Sequence, residues 1–395
     1  MTDDPGHRLI DRAERVLMRT YGRVPVTFVR GRGVELFDAA GKAYLDCLGG
    51  LAVVAVGHGN KRVTQAVAAQ METLVHTSNL FYTEPQVALA EALLARSGME
   101  RVFFANCGAT ANEAAIKLAR RHGQRRRGAD CFHIVSLERS FHGRTMATLA
   151  ATGQPDKQAA FEPLPSGFSQ VPGGDLEALA RALDDRVAAV LLETVQGEGG
   201  VVPWSAEYLR GVRALCDRSG ALMIVDDVQA GIGRTGRWFS WQGHGFEPDA
   251  ATLAKALANG LPIGACLTRG AAAEAFSPGD HATTFGGGPV VCAAALAVIE
   301  EIESADLLAN ATARSAQLRE ALTALDGVVT VRGRGLLLAC QLERDDAAAV
   351  VGRALELGLV LNAVRPDAVR WAPPLCISEQ EVTRAVATFA TALAA

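Results

Sequence analysis

The sequence predicts an α/β fold, with a large domain on a mostly parallel, doubly wound sheet and a smaller α+β domain after it. Three observations carry this. Between residues 61 and 268, short continuous apolar runs alternate with segments of helical period, the pattern of buried parallel strands joined by helices. Beyond about residue 293 the pattern changes to a long helix, short apolar runs and a further helix. The chain's 395 residues also suffice for one large and one smaller core.

In chain order, residues 1–57 hold a short amphipathic helix and a β-like pair at 26–30 and 34–38, broken by Gly31 and Gly33. Helices at 62–75 and 84–96, a strand at 101–105 and a helix at 111–121 follow. Further strands read at 132–137, 187–193, 221–226, 250–253 and 263–268. The tail offers strands at 328–331, 336–342 and 369–371 with a helix near 347–357. The expected division is 1–57 contributing to the small domain, 58–295 as the large domain and 296–395 as the small one. No internal repeat or low-complexity segment is visible.

Composition excludes several partners. A net charge of −4 gives no electrostatic reason to expect nucleic acid or an anionic membrane. The run from Arg120 to Arg127 reads as a solvated helix end, where cations suit the dipole. Eight cysteines lie mostly in apolar stretches without Cys-x-x-Cys spacing and read as reduced core residues, and the scattered histidines offer no metal site. Residues 1–19 mix both charge signs and lack the apolar centre of a signal peptide, and no apolar run reaches membrane-spanning length. The expected location is the cytoplasm.

Lys255 closes the apolar run Ala-Thr-Leu-Ala-Lys, whereas Lys42, Lys61, Lys117 and Lys157 lie among polar neighbours. A buried ammonium without a partner tends to lose its proton, and the neutral amine attacks carbonyls. Taken alone, Lys255 reads as a snorkelling lysine and Asp226 as a turn aspartate. Together they read differently. The buried strand at 221–226 ends in Asp226, with Gln229 just beyond, and ligands of such sheets bind past the carboxyl ends of the strands. An acid, an amide and an amine in one crevice suit pyridoxal phosphate: Asp226 for the ring nitrogen, Gln229 for the ring hydroxyl, Lys255 for an imine with the aldehyde.

Other segments have two readings each. Asn106-Cys107-Gly108-Ala109-Thr110 joins a strand to a helix and is either a phosphate cradle or an ordinary cap. Phe141 and Arg144 in Ser140-Phe141-His142-Gly143-Arg144-Thr145 offer a stacking ring and a carboxylate partner, or only core and surface. Glu193 and Glu198 flank Gly197 in a loop that is either a ligand approach or a solvated turn. Gly231 to Gly236 matches a dinucleotide fingerprint, but no helical period follows it. Thr283 and Thr284 precede a glycine-rich helix start, and Arg370, amid apolar residues, suits either a carboxylate or a stack on Trp371.

In order, these segments resemble the class III, ornithine-aminotransferase-like pyridoxal-phosphate enzymes, and the acetylornithine aminotransferases most closely. The likeness also includes Tyr21-Gly22-Arg23-Val24-Pro25-Val26, Gly41-Lys42-Ala43-Tyr44-Leu45-Asp46 and His76-Thr77-Ser78-Asn79-Leu80-Phe81-Tyr82. It implies a fold-type I homodimer that moves an ω-amino group from an N-acetylornithine-like donor to 2-oxoglutarate. By the resemblance, Lys255 and Asp226 are catalytic. Gly108, Ala109, Thr110, Phe141, Gln229 and the partner's Thr284 hold the cofactor. Arg144, Glu193, Glu198 and Arg370 serve the substrate, with Arg370 on the α-carboxylate and Glu198 masking it for the ω-amine donor. Departures from the family stand at Val54, Cys107, Thr110, Thr194, Asp227, Ala230 and Gly288, several at expected pocket or cradle positions. They leave open another outcome on an amino acid: epimerisation, decarboxylation or cyclisation. A non-catalytic cofactor-binding protein would show an appended module or lack the lysine, and the sequence shows neither.

Overall fold

The computed structural model describes residues 5–395, so the first four residues of the expected N-terminal helix lie outside it. Its large sheet has seven strands in the spatial order Arg101–Ala105, Gly264–Thr268, Ala250–Leu253, Leu222–Asp226, Val187–Leu192, His133–Leu137, Phe168–Val171. The sheet is mostly parallel; only Gly264–Thr268 runs against both neighbours. The all-apolar run Val187–Leu192, and Leu222–Asp226, apolar up to its closing Asp226, are buried along their whole length because helices cover both faces. The edge strand Phe168–Val171 is only partly buried, and its weaker apolar signal hid it from sequence reading.

The C-terminal sheet is antiparallel, ordered Val328–Arg334, Leu337–Leu342, Ala368–Trp371, Asn362–Arg365. A third sheet joins the two ends of the chain. Phe28–Arg32, Glu35–Asp38 and Ala43–Asp46 pair in sequence, and Leu359–Val360 adds in parallel to Ala43–Asp46.

Three sequence expectations need correction. The helix expected at 111–121 spans Gly108–Arg127. The one long helix after residue 293 is two, Pro289–Ser304 and Leu307–Thr323, divided where Asp306 takes a φ of 48°. The closing helix Glu379–Ala394 went unread, although Ser378 and Glu381 form a capping box at its start. Gly231–Gly236 forms turns and opens no helix, which removes the dinucleotide reading.

Candidate active site

Past the carboxyl ends of the central strands lies a cavity of about 390 Å³, on whose wall Lys255, Asp226, Gln229, Phe141, Glu193 and Glu198 meet. Lys255 follows the strand Ala250–Leu253 after Ala254 and opens a short 3-10 turn, Lys255–Ala258. Its φ of 44° is left-handed, a conformation costing an L-residue roughly 1–2 kcal/mol. No hydrogen bond or ion pair joins its amine to another described residue. Burial lowers its pKa, while Glu198 and Asp226 partly oppose that.

Asp226 ends its strand with both oxygens occupied. Oδ2 accepts from Asn112 Nδ2 at 2.7 Å and from His142 Nδ1 at 2.8 Å, and Oδ1 accepts from the Val228 N–H at 3.1 Å. Asn112 is fixed in turn, donating to the His142 carbonyl at 2.8 Å and accepting from the Thr252 hydroxyl at 2.6 Å. The His142 side chain is fully enclosed, and its Nε2 has no partner among the described residues. Sequence reading missed both residues. A lone asparagine on an alanine-rich helix face was the available signal for Asn112; nothing local marked His142.

Glu193 accepts from the N–H groups of Phe141 and Gly197, each at 3.0 Å, and burial pushes its carboxyl up to about 7 against those bonds. A Cβ on Gly197 would lie 1.6 Å from Gln229 Oε1, so any larger residue there would displace Gln229 from its contacts with Glu198 and Arg370. Arg370 has a side chain only 1% exposed and reaches Glu198 Oε1 at 2.5 Å. Burial alone would raise Glu198, but the guanidinium outweighs it and holds the carboxyl below its usual range. Asn362 Oδ1 accepts from Arg370 Nε at 3.0 Å, and Gln229 touches both members of the pair at 3.4 Å.

Gly108 and Ala109 start the helix Gly108–Arg127 at the cavity, with N–H groups that have no acceptor among the described residues. A Cβ on Gly108 would lie 2.7 Å from Val228 Cγ1. Thr110 does not line the cavity: its hydroxyl accepts from the Asn106 and Cys107 N–H groups at 3.0 Å and caps the helix. Arg144 is exposed at the cavity edge, its guanidinium 5.6 Å from the Phe141 ring centre. Thr284 lies apart, in a second crevice with His76, Asn79 and Phe81.

Two expectations about departures change. Val54, Thr194, Asp227, Ala230 and Gly288 do not line the cavity. Cys107 does, and it is exposed, so the reading of the cysteines as core residues fails there. Among the described residues, no cluster of metal-ligating side chains is present, and no helix is long and apolar enough to cross a membrane.

The aminotransferase class-III family model matches residues 16–393. The chain is 49% identical over 376 residues to an acetylornithine aminotransferase of Bordetella bronchiseptica, covering 94% of this chain and 95% of the relative. Its fold superposes on the crystal structure of an ornithine aminotransferase from Toxoplasma gondii with a TM-score of 0.95 at 30% identity, covering 98% and 95% of the two chains. A second structure of that enzyme (TM-score 0.94, 30% identity, 99% and 95% covered) has partial occupancy of pyridoxal phosphate at its active site. A match over nearly the whole length, with a lysine and an acid meeting beyond the strand ends, has one consequence: the chain belongs to the class-III aminotransferases, which depend on pyridoxal phosphate.

Proposed function

We propose that this aminotransferase moves the ω-amino group of N-acetylornithine, or a close relative, to 2-oxoglutarate, giving a semialdehyde and glutamate. The observation that carries the reading is the buried Arg370, itself off the cavity wall, neutralised by Glu198, which lines the Lys255 cavity. A ping-pong transaminase must seat two differently charged substrates in one pocket. An arginine that an adjacent acid can mask or release meets that need, releasing it for the α-carboxylate of glutamate and masking it when an ω-amine enters.

The residues present fit the cofactor. Open N–H groups at the start of a 20-residue helix on the cavity wall suit its phosphate. When bound, pyridoxal phosphate supplies an aldehyde and a ring able to take up an electron pair. Lys255 Nζ, lowered in pKa by burial, would give the reactive amine and take the proton from the substrate carbon that bears the amino group. Asp226, held by Asn112 and His142, would hold the ring nitrogen; Phe141 would stack on the ring, and Gln229 would meet its hydroxyl. Arg144 takes the second carboxylate, and Glu193 stiffens the Gly197 loop that presents Glu198.

The same reading groups residues 1–57 with 296–395 around the cofactor-binding 58–295, supported by the pairing of Leu359–Val360 with Ala43–Asp46. It also makes the enzyme a homodimer whose Thr284 reaches the partner's phosphate. Leu80, Phe81, Tyr82 and Phe285 support this, being 66–97% exposed near Thr284. A single-chain mass in solution at working concentration would remove the dimer. With departures other than Cys107 off the cavity wall, no observation favours a different reaction outcome.

Mixing purified holoenzyme with N-acetylornithine, without a keto acid, tests the function. The cofactor's long-wavelength absorbance is expected to shift to that of its aminated form, and Lys255→Ala to lose the shift at catalytic rates. No shift with N-acetylornithine, ornithine, lysine or 4-aminobutyrate would exclude the assignment.

A further inference from the structure

Arg234, in the turn Gly231–Gly236, is fully buried at 0% exposure, and no carboxylate pairs with it. Its Nη1 donates to the carbonyls of Leu336, at 3.1 Å, and Pro373, while Nε and Nη2 have no partner among the described residues. An arginine held only by neutral acceptors in a dry core is unfavourable, and an apolar side chain of similar size would ordinarily be more stable there. Packing alone does not account for it.

The positions of its acceptors do. Pro373 lies three residues beyond Arg370. Leu336 immediately precedes the strand Leu337–Leu342, in which Ala339 pairs with Arg370 and Leu338 with Trp371. The main chain adds a third tie, as the Leu336 N–H donates to the Arg234 carbonyl at 2.9 Å. Gly335 permits this approach, because a Cβ there would lie 2.3 Å from that carbonyl. Two residues before that turn stands Gln229, on the cavity wall, which touches Arg370 and Glu198. The segment from Gln229 to Gly236 therefore grips the C-terminal sheet just past Arg370, on its own strand's continuation and on the neighbouring strand, and also meets the guanidinium itself.

From this we infer that Arg234 is a positioning residue for Arg370 and, through it, a determinant of affinity for the α-carboxylate of glutamate and 2-oxoglutarate. Its Nη1, fixed in the guanidinium plane, donates to two carbonyls from separate segments and sets their spacing, and a misplacement of Arg370 by a fraction of an ångström weakens bidentate carboxylate binding. The ω-amine donor, which meets Arg370 in its masked state, depends on that placement far less. The inference rests on the function proposed above.

Arg234→Gln and Arg234→Lys, purified as holoenzymes, test it in the two half-reactions. KM for glutamate and 2-oxoglutarate is expected to rise about tenfold in Arg234→Gln, with that for N-acetylornithine changed less than about twofold. Arg234→Lys, keeping one charged donor, should recover part of the loss. Equal changes for both substrates, or a lowered Tm with the KM ratio unchanged, would overturn it. Should Arg234→Gln not fold, the KM ratio of Arg234→Lys decides alone. A wild-type enzyme inactive in both half-reactions would remove the function and this inference together; an active one with an unchanged ratio in the variants removes only the inference.

Discussion

Asp226 and Asp227 are neighbours in sequence whose surroundings separate their charges. Asp226 meets donors from Asn112, His142 and Val228, whereas Asp227 Oδ2 accepts from the Ser240 N–H at 3.1 Å and its Oδ1 is buried without a partner. Burial pushes the Asp227 carboxyl up to about 8, with Ser240 opposing. At neutral pH it keeps its proton, so a second charge does not build up behind Asp226. Because the folded pKa lies above the usual 3.8, Asp227's contribution to stability is complete below that value and is lost as pH rises toward about 8. Asp227→Asn should therefore flatten the fall of Tm across this window. Glu193, raised from 4.5 to about 7, leaves a fall of the same sign over that narrower window. An unchanged slope in the variant would show that Asp227 is ionised in the folded protein. The sequence revealed Lys255 and Asp226 because a charge at the end of an apolar run needs a reason. Asn112 and His142 stayed hidden because their partner, Asp226, is distant in sequence, and only the folded sheet brings them to it.

The helix Gly108–Arg127 shows what local signals can and cannot convey. Its start was read three residues late because Cys107 is not an ordinary capping residue; Thr110, inside the helix, reaches back to do that work. Its end was read early because His122-Gly123 resembles a stop. Gly123 serves close approach instead, as a Cβ there would lie 2.4 Å from the Cys131 carbonyl. Arg125, Arg126 and Arg127 then occupy the true last turn, where cations suit the dipole. At the other end, Gly108→Ala would press Val228 Cγ1 and move the N–H groups proposed to hold the phosphate. The Kd for pyridoxal phosphate should rise about tenfold or more, with the helix intact by circular dichroism. An unchanged Kd would place the phosphate elsewhere.

Across the whole molecule, the site joins what the chain keeps apart. Lys255 and Asp226 stand at strand ends of the seven-stranded sheet, Glu198 lies in a loop beyond the same sheet, and Arg370 comes from the antiparallel C-terminal sheet. Alternating apolar runs made the large sheet legible, but the spatial order of strands and the return of the N-terminal segment to Leu359–Val360 depend on pairings that no local pattern encodes. The proposed function requires that Arg370 discriminate between the two substrates while Glu198 masks it. Single-turnover kinetics of Arg370→Ala holoenzyme with glutamate and, separately, with N-acetylornithine test this most directly. The prediction is a fall of about a hundredfold or more in kcat/KM for glutamate, with N-acetylornithine held within about threefold. Equal losses on both substrates would contradict it.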